Sequence, residues 1–280
     1  MMNTRANKIV LIAFLLSLLP LTTILAQVSI APTALFFNEQ TRFSAITVSN
    51  GGNQTQEISI SADFGFPTSE NGNFVISSDS AVAEEYSMAD WINVFPASFT
   101  LGPQQRQVVR FVLRPPAQLE DKGYWARVKV SSNPETAAIE TVGNDQVGAQ
   151  INIILEQVIG AHYHTRNAAT GVAVNNVDFD RGDDGNSGTI NIDIERTGNA
   201  PFVGSLNFQI IDSDGNTVYQ TNATTSVYTN IRRTYAFDIS QWPAGTYKIT
   251  GNIVSERRDI DPSYLLQIDP VSFEQEFEIE

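Results

Sequence analysis

The 280-residue chain contains no cysteine, which removes a disulfide framework, a thiolate metal site, a nucleophilic thiol and a lipid attached behind a leader. The fold has to hold through its core alone. Histidine is almost absent: His162 and His164 are the only two, with no Ser or Asp motif around them to make a nucleophile and its base. Basic residues are sparse, 17 Lys and Arg against 31 Asp and Glu, giving a formal net charge of −14. A surface this acidic repels phosphate backbones and anionic lipid, so nucleic acid is not an expected partner, and solubility is the ordinary reading of the charge. No glycine-rich loop follows a strand and opens a helix to cradle a phosphate. Carboxylate pairs formed through space stay invisible in a sequence, but no motif points to an enzyme or a cofactor.

Long apolar runs are missing beyond Ile9 to Leu19, which is much shorter than the roughly 20 residues of a membrane span. Arg5 and Lys8 precede it and "ILA" follows before Gln27, so residues 1–26 are expected to be a cleaved secretory signal peptide. Losing Arg5 and Lys8 with it would take the net charge from −14 to −16. What remains is long enough for two domains.

The remainder is dominated by short strands and turns. "INIDIE" (190–195) alternates Ile190, Ile192 and Ile194 with polar residues, and "VSFEQEFEIE" sets Val271, Phe273, Phe277 and Ile279 against a row of glutamates. Asp214-Gly215 marks a hairpin turn. Turn signals recur about every ten residues, the spacing of a sandwich. "SAVAEEYSMADW" (80–91) is a helix candidate, expected as a short insertion between strands. The polar stretch after His162 places a domain junction near residue 165.

The segment "GAQINIILEQVIGAHYH" (148–164) fits both periods: Ile151, Ile153, Leu155 and Ile159 on one face of a strand, or Ile151, Ile154, Leu155, Val158 and Ile159 on one face of a helix. Its β-branched content, its flanking glycines and its strand-rich surroundings favour the strand. With aliphatics on both faces, such a strand needs cover on both. The cover is either the chain's own loops or another molecule.

"VSIAPTALFF" (28–37), "ITVSNGGNQTQEISI" (46–60), "WINVFPASFTLGPQQRQVVRFVLRPP" (91–116) and "YWARVKVSS" (124–132) follow the order seen in the PapD-like periplasmic chaperones of pilus assembly, which the chain resembles throughout its first half. The resemblance implies an all-β protein: two immunoglobulin-like sandwiches in tandem, 27–165 and 166–280, behind a signal peptide at 1–26. It also implies a periplasmic location and an ATP-independent chaperone that donates an edge strand to partly folded pilus or surface subunits. An outer-membrane usher would be a further partner. By position the donated row is Ile151, Ile153, Leu155 and Ile159, with Ile154 and Val158 facing the protein's own core. An uncovered donor edge would also permit self-association. The family's basic pair for a client's terminal carboxylate falls at Ala34 and Gly160, neither of which carries charge; Arg42, Lys129 and Arg166 are the basic residues that could lie nearby. The alternative is a secreted structural or adhesive β-sandwich protein of a cell-surface assembly.

Three other groups remain. His162 and His164, two apart on a strand, share one face and form a candidate metal pair lacking a third ligand. Asp178, Asp180, Asp183 and Asp184 cluster in "DFDRGDDGNSG" (178–188) as weak calcium candidates, without the spacing of the helix-loop-helix site. Arg106, Arg110 and Arg114 are expected on one solvated sheet face.

Overall fold

Pro32 divides the first strand in two. Lacking an N–H for the ladder, it separates β1 (Val28–Ala31) from β2 (Ala34–Asn38), and the halves join opposite sheets. The computed structural model describes residues 28–70, 73–135 and 153–280. In it, β1 pairs with β3 (Phe43–Asn50), which continues to β9 (Arg106–Leu113) and β7 (Ile92–Phe95). β2 instead runs parallel to β11 (Leu155–His164), which is followed by β10 (Gly123–Pro134), β4 (Gln56–Asp63) and β8 (Ser98–Leu101). Pro96, between β7 and β8, marks a second change of sheet. The two sheets close on each other as an immunoglobulin-like sandwich.

Period-two alternation builds its core. On β9, Val109, Phe111 and Leu113 are buried while Arg106 and Arg110 are exposed, as is Arg114 just beyond the strand. The inward residues meet Ile46 and Val48 of β3, Ile58 and Ile60 of β4, Val128 and Val130 of β10, and Leu35 and Phe37 of β2. Each full burial contributes about 1.5–3 kcal/mol. Between β4 and β7 the chain inserts a hairpin, β5 (Phe66–Glu70) with β6 (Asn73–Ser77), and a helix, α1 (Ser80–Tyr86). Asp79 caps α1 by accepting from the amides of Ala81 and Val82 at 2.9 and 3.0 Å. The helix is shorter than its 80–91 pattern because Ser87 turns extended; only a 3-10 turn, Ala89–Trp91, resumes the coil.

The second sandwich packs a sheet of β12 (Val172–Arg181), β13 (Ser187–Arg196) and β16 (Asn230–Asp238) on one of β15 (Thr217–Val227), β14 (Phe202–Ile211), β17 (Gly245–Val254) and β18 (Val271–Ile279). Ile190, Ile192 and Ile194 all point into its core, against Phe202, Leu206, Ile249 and Ile253. At the β14–β15 turn, Gly215 takes φ +86°, which disfavours a side chain, and Asp212 accepts from the amides of Asp214 and Asn216.

The insertion joins the two sandwiches. Ser69 Oγ donates to the carbonyl of Arg232 and accepts from its amide, both at 3.0 Å, and Thr68 Oγ1 donates to the carbonyl of Asn230 at 2.9 Å. Trp125 stands on the outer face of β10, where solvent would be expected, yet is 0% exposed. It is enclosed by Phe64, Phe66 and Tyr86 of the first sandwich and Tyr228 of the second. Arg196, at the end of β13, lies over the Tyr86 ring at 4.9 Å and donates to its hydroxyl at 3.1 Å.

Replacing Trp125 with Ala should cost about 3–5 kcal/mol and split the heat-unfolding endotherm into two transitions as the sandwiches uncouple. Calorimetry that shows an unchanged single transition would contradict this packing.

Candidate functional site

β11 is covered unequally on its two sides. It pairs with β10 along its whole length, from Leu155 opposite Ser132 to His164 opposite Gly123. It pairs with β2 only from Gly160, opposite Ala34, to His164, opposite Asn38. Among the described residues, Leu155 to Ile159 therefore has a strand on one side and none on the other. In this stretch and the residues just before it, Ile153, Ile154, Leu155 and Val158 are 73, 65, 42 and 47% exposed. A free backbone edge carrying exposed aliphatics is a surface suited to an added strand.

The predicted row is only partly placed there. Ile151 lies outside the described residues, and Ile153 and Leu155 are exposed. Ile159 is not part of an exposed row: it is 7% exposed and packs in the first sandwich's own core. By Ile159 the strand has entered the sandwich, and the same face continues inward through Ala161 and Tyr163. Ile154 and Val158, expected in the core, are exposed instead, because period two puts them opposite Ile159. Gln157 donates to the carbonyl of Val28 at 2.7 Å, tying this half-covered stretch to β1.

Where β2 begins to cover β11, the interface between the sandwiches begins too. Ala34 and Gly160 are direct register partners. A Cβ at Gly160 would stand 2.9 Å from Nε2 of His162 and 3.5 Å from the hydroxyl of Tyr228. The His162 ring stacks with Phe36 (centroids 5.2 Å) and Tyr228 (5.8 Å), and Phe36 stacks on Tyr264 (5.6 Å). Val203, Ile260 and Leu265 of the second sandwich close over Ala34 and Phe36. This floor is aromatic and aliphatic. Of the nearby cations, Arg127 and Lys129 both bind Asp63, at 2.8 and 2.9 Å, and Arg257 binds Asp259, which also accepts from Thr33. The main-chain amide of Arg166 donates to Glu39 at 3.3 Å, beside a cavity of about 320 Å3 that Arg166, His164 and Tyr264 help to line. The Arg42 carbonyl accepts from the amide of Leu113.

Both histidines share the outward face of β11, with ring centroids 6.3 Å apart. Burial holds His162 down at about 3, helped by His164 and Arg257, and holds His164 at about 4. Both are neutral at ordinary pH. The Tyr228 hydroxyl, 3.4 Å from Nε2 of His162, is pushed above its usual range by the same burial. Among the described residues, no group of three His, Asp or Glu side chains is placed to hold a metal ion. Asp178 and Asp180 are on β12 and both accept from Nδ2 of Asn191, at 2.9 and 2.8 Å. Asp184 instead closes the β12–β13 turn, accepting from the amides of Asn186 and Ser187 and from the Ser187 hydroxyl, and Asp183 is exposed. The calcium candidates thus do not converge. Sequence reasoning missed the aromatic seam of Trp125, Tyr228 and Phe36; the one available signal was the paired aromatics in "GYWARV", on a strand that should have had one wet face.

A family model described as "Secretion system C-terminal sorting domain" matches residues 186–258. No curated protein matches the chain. Among solved structures, it is similar to the CsuC–CsuE chaperone-tip adhesion subunit pre-assembly complex of Acinetobacter baumannii: 13% identity, 89% of this chain and 98% of that one, TM-score 0.45. It is similar to the CupB2 chaperone of Pseudomonas aeruginosa at 9% identity, covering 88% and 99%, TM-score 0.42. It is also similar to the SafA pilin–SafB chaperone complex of Salmonella enterica at 11% identity, covering 90% and 97%, TM-score 0.45.

Two outcomes follow from the seam. The unfolded histidines titrate near 6.5 and the folded ones near 3 and 4. Between those limits the unfolded chain takes up protons that the folded one refuses, so stability is full above about pH 6.5 and falls as pH drops. The slope approaches about 1.4 kcal/mol per pH unit for each histidine. Urea titrations from pH 7 to 4.5 should show this fall, and a His162→Phe variant should show about half the slope; a flat profile would contradict it. Gly160→Lys should lower stability by at least 1–3 kcal/mol through overpacking, and an unchanged thermal midpoint would show that the cleft floor has room for a cation.

Proposed function

We propose that the protein is a periplasmic, ATP-independent chaperone-like binder of partly folded pilus or surface subunits, and that it offers them the open edge of β11. One observation carries this reading: among the described residues, Leu155 to Ile159 has a strand partner on one side only, and Ile153, Ile154, Leu155 and Val158 are exposed around it. A client lacking a strand would gain main-chain hydrogen bonds along this edge and bury aliphatics in its own groove. Two or three such burials, at about 1.5–3 kcal/mol each, are enough to hold a folding subunit. The donated residues are then Ile153 and Leu155, joined by Ile154 or Val158, rather than Ile159. With Ala34 and Gly160 at the cleft floor, a client's terminal carboxylate has no charge to meet there. Binding rests on the strand alone, and any usher would have to accept a complex held that way.

A second reading is favoured by the match of residues 186–258 to a secretion sorting domain. In it, the protein is a structural or adhesive component of a surface assembly, and the β11 edge is capped by a neighbouring subunit of that assembly.

The test uses the full chain carrying an Ile153→Asp, Leu155→Asp pair, produced in its own cell envelope and compared with wild type by affinity capture and mass spectrometry. Both side chains are exposed, so the variant should keep its stability within about 0.5 kcal/mol of wild type. The expected result is one small β-rich protein captured stoichiometrically by wild type and reduced more than tenfold with the variant. Equal capture by both, or capture by neither, moves the assignment to the second reading.

A further inference from the structure

We infer that the outer face of the β15-β14-β17 sheet binds a neutral saccharide. The inference is independent of the β11 edge. A shallow cavity of about 640 Å3 lies on this face. The strand register sets Asn222, Asn207 and Asn252 side by side across the three strands, and the next row sets Gln220, Gln209 and Thr250 beside them. The asparagines are chained in one direction: Nδ2 of Asn222 donates to Oδ1 of Asn207, and Nδ2 of Asn207 donates to Oδ1 of Asn252 at 3.0 Å. In the second row, Nε2 of Gln209 donates to Oγ1 of Thr250 at 3.4 Å. A chain so polarised leaves, among the described residues, a carbonyl free at Asn222 and amide hydrogens free at Asn252. Among the described residues, the exposed Gln220 side chain has no protein partner.

No residue lining the cavity is charged. The nearest charges on the same face are Lys248 and Glu274, paired with each other at 2.8 Å on the β17–β18 side, with Glu276 and Glu278 along β18; the other sheets carry Arg106 and Arg110 on β9 and Asp193 and Arg232 across β13 and β16 on their outward faces. Within the cavity an anion would find no counter-charge and a cation none either, the flanking Lys248 and Glu274 being paired with each other. Among the described residues an added peptide strand would find an edge only along β15; β14 and β17, which carry Asn207, Gln209, Thr250 and Asn252, are flanked on both sides. Side-chain amides each present a donor and an acceptor, the complement of adjacent sugar hydroxyls. The rows are about 4.8 Å apart across strands and about 6.8 Å apart along them, an area suited to about two linked sugar rings.

The full chain would be titrated with maltohexaose, cellohexaose, xylohexaose and mannohexaose, with trigalacturonate as an acidic control, and the side-chain amide resonances followed by NMR. The expected result is movement of Asn and Gln side-chain signals by at least one neutral oligosaccharide, with Kd on the order of 1 mM. Binding of trigalacturonate should be at least tenfold weaker. An Asn222→Ala, Asn252→Ala variant should lose at least tenfold in affinity at an unchanged melting temperature. If that variant is destabilised, Gln220→Ala, exposed and unpartnered, carries the same expectation. No movement at about 10 mM of any neutral probe, or undiminished binding by the variants, would overturn the assignment and leave the amide rows as a solvated ladder.

Discussion

The parallel pairing of β2 with β11 starts at Ala34 and Gly160, and that starting point governs the first sandwich and everything placed around it. It is fixed by Pro32, which has no donor for the ladder and lies where the chain crosses to the other sheet. If the first strand had continued unbroken along β11, Leu155 to Ile159 would have had partners on both sides. Because it does not, a stretch of backbone is left without a second strand partner among the described residues, next to four exposed aliphatics. The same register point marks the edge of the domain interface, so an open edge and a closed seam meet within a few residues.

The seam explains why the cleft floor cannot anchor charge. Space that a lysine or arginine would need is occupied by His162, Tyr228 and Phe36: a Cβ at Gly160 would collide with His162 and already touch Tyr228. Desolvation makes an isolated charge there costly, and it also keeps both histidines neutral. Together with the inserted hairpin and α1 stacked on Trp125, the seam fixes the two sandwiches against each other.

Much of this was legible in the sequence, and the failures have identifiable causes. Alternation placed Val109, Phe111 and Leu113 inside and Arg106, Arg110 and Arg114 outside, and did the same for Ile190, Ile192 and Ile194, because a sandwich with one wet face imposes period two directly. The pattern of residues 151–159 also yielded a strand. It does not show where that strand enters the sandwich: the pattern groups Ile159 with Ile153 and Leu155 although it is core, and the family position points Val158 inward although it is exposed. Face follows from parity; depth depends on where a neighbouring strand begins, and that is set by Pro32, some 120 residues away in the chain. Trp125 and the two histidines were illegible for a related reason. Their outward faces are buried by a separate part of the chain, which no local period records. Of the four aspartates close in sequence, Asp178 and Asp180 stay together on one face of β12 over Asn191, while the turn recruits Asp184 for its own amides and Asp183 is exposed.

The central claim is that the half-covered stretch of β11 is a binding edge, and site-specific photocrosslinking tests it most directly. A photoreactive phenylalanine analogue would be placed at Val158, and as a control at the exposed Phe43 on the opposite sheet, in the full chain inside its native envelope. The account predicts a discrete adduct with a β-rich subunit from position 158 and none from position 43. Adducts from position 43 alone, or none from 158 while the protein is present and folded, would contradict it.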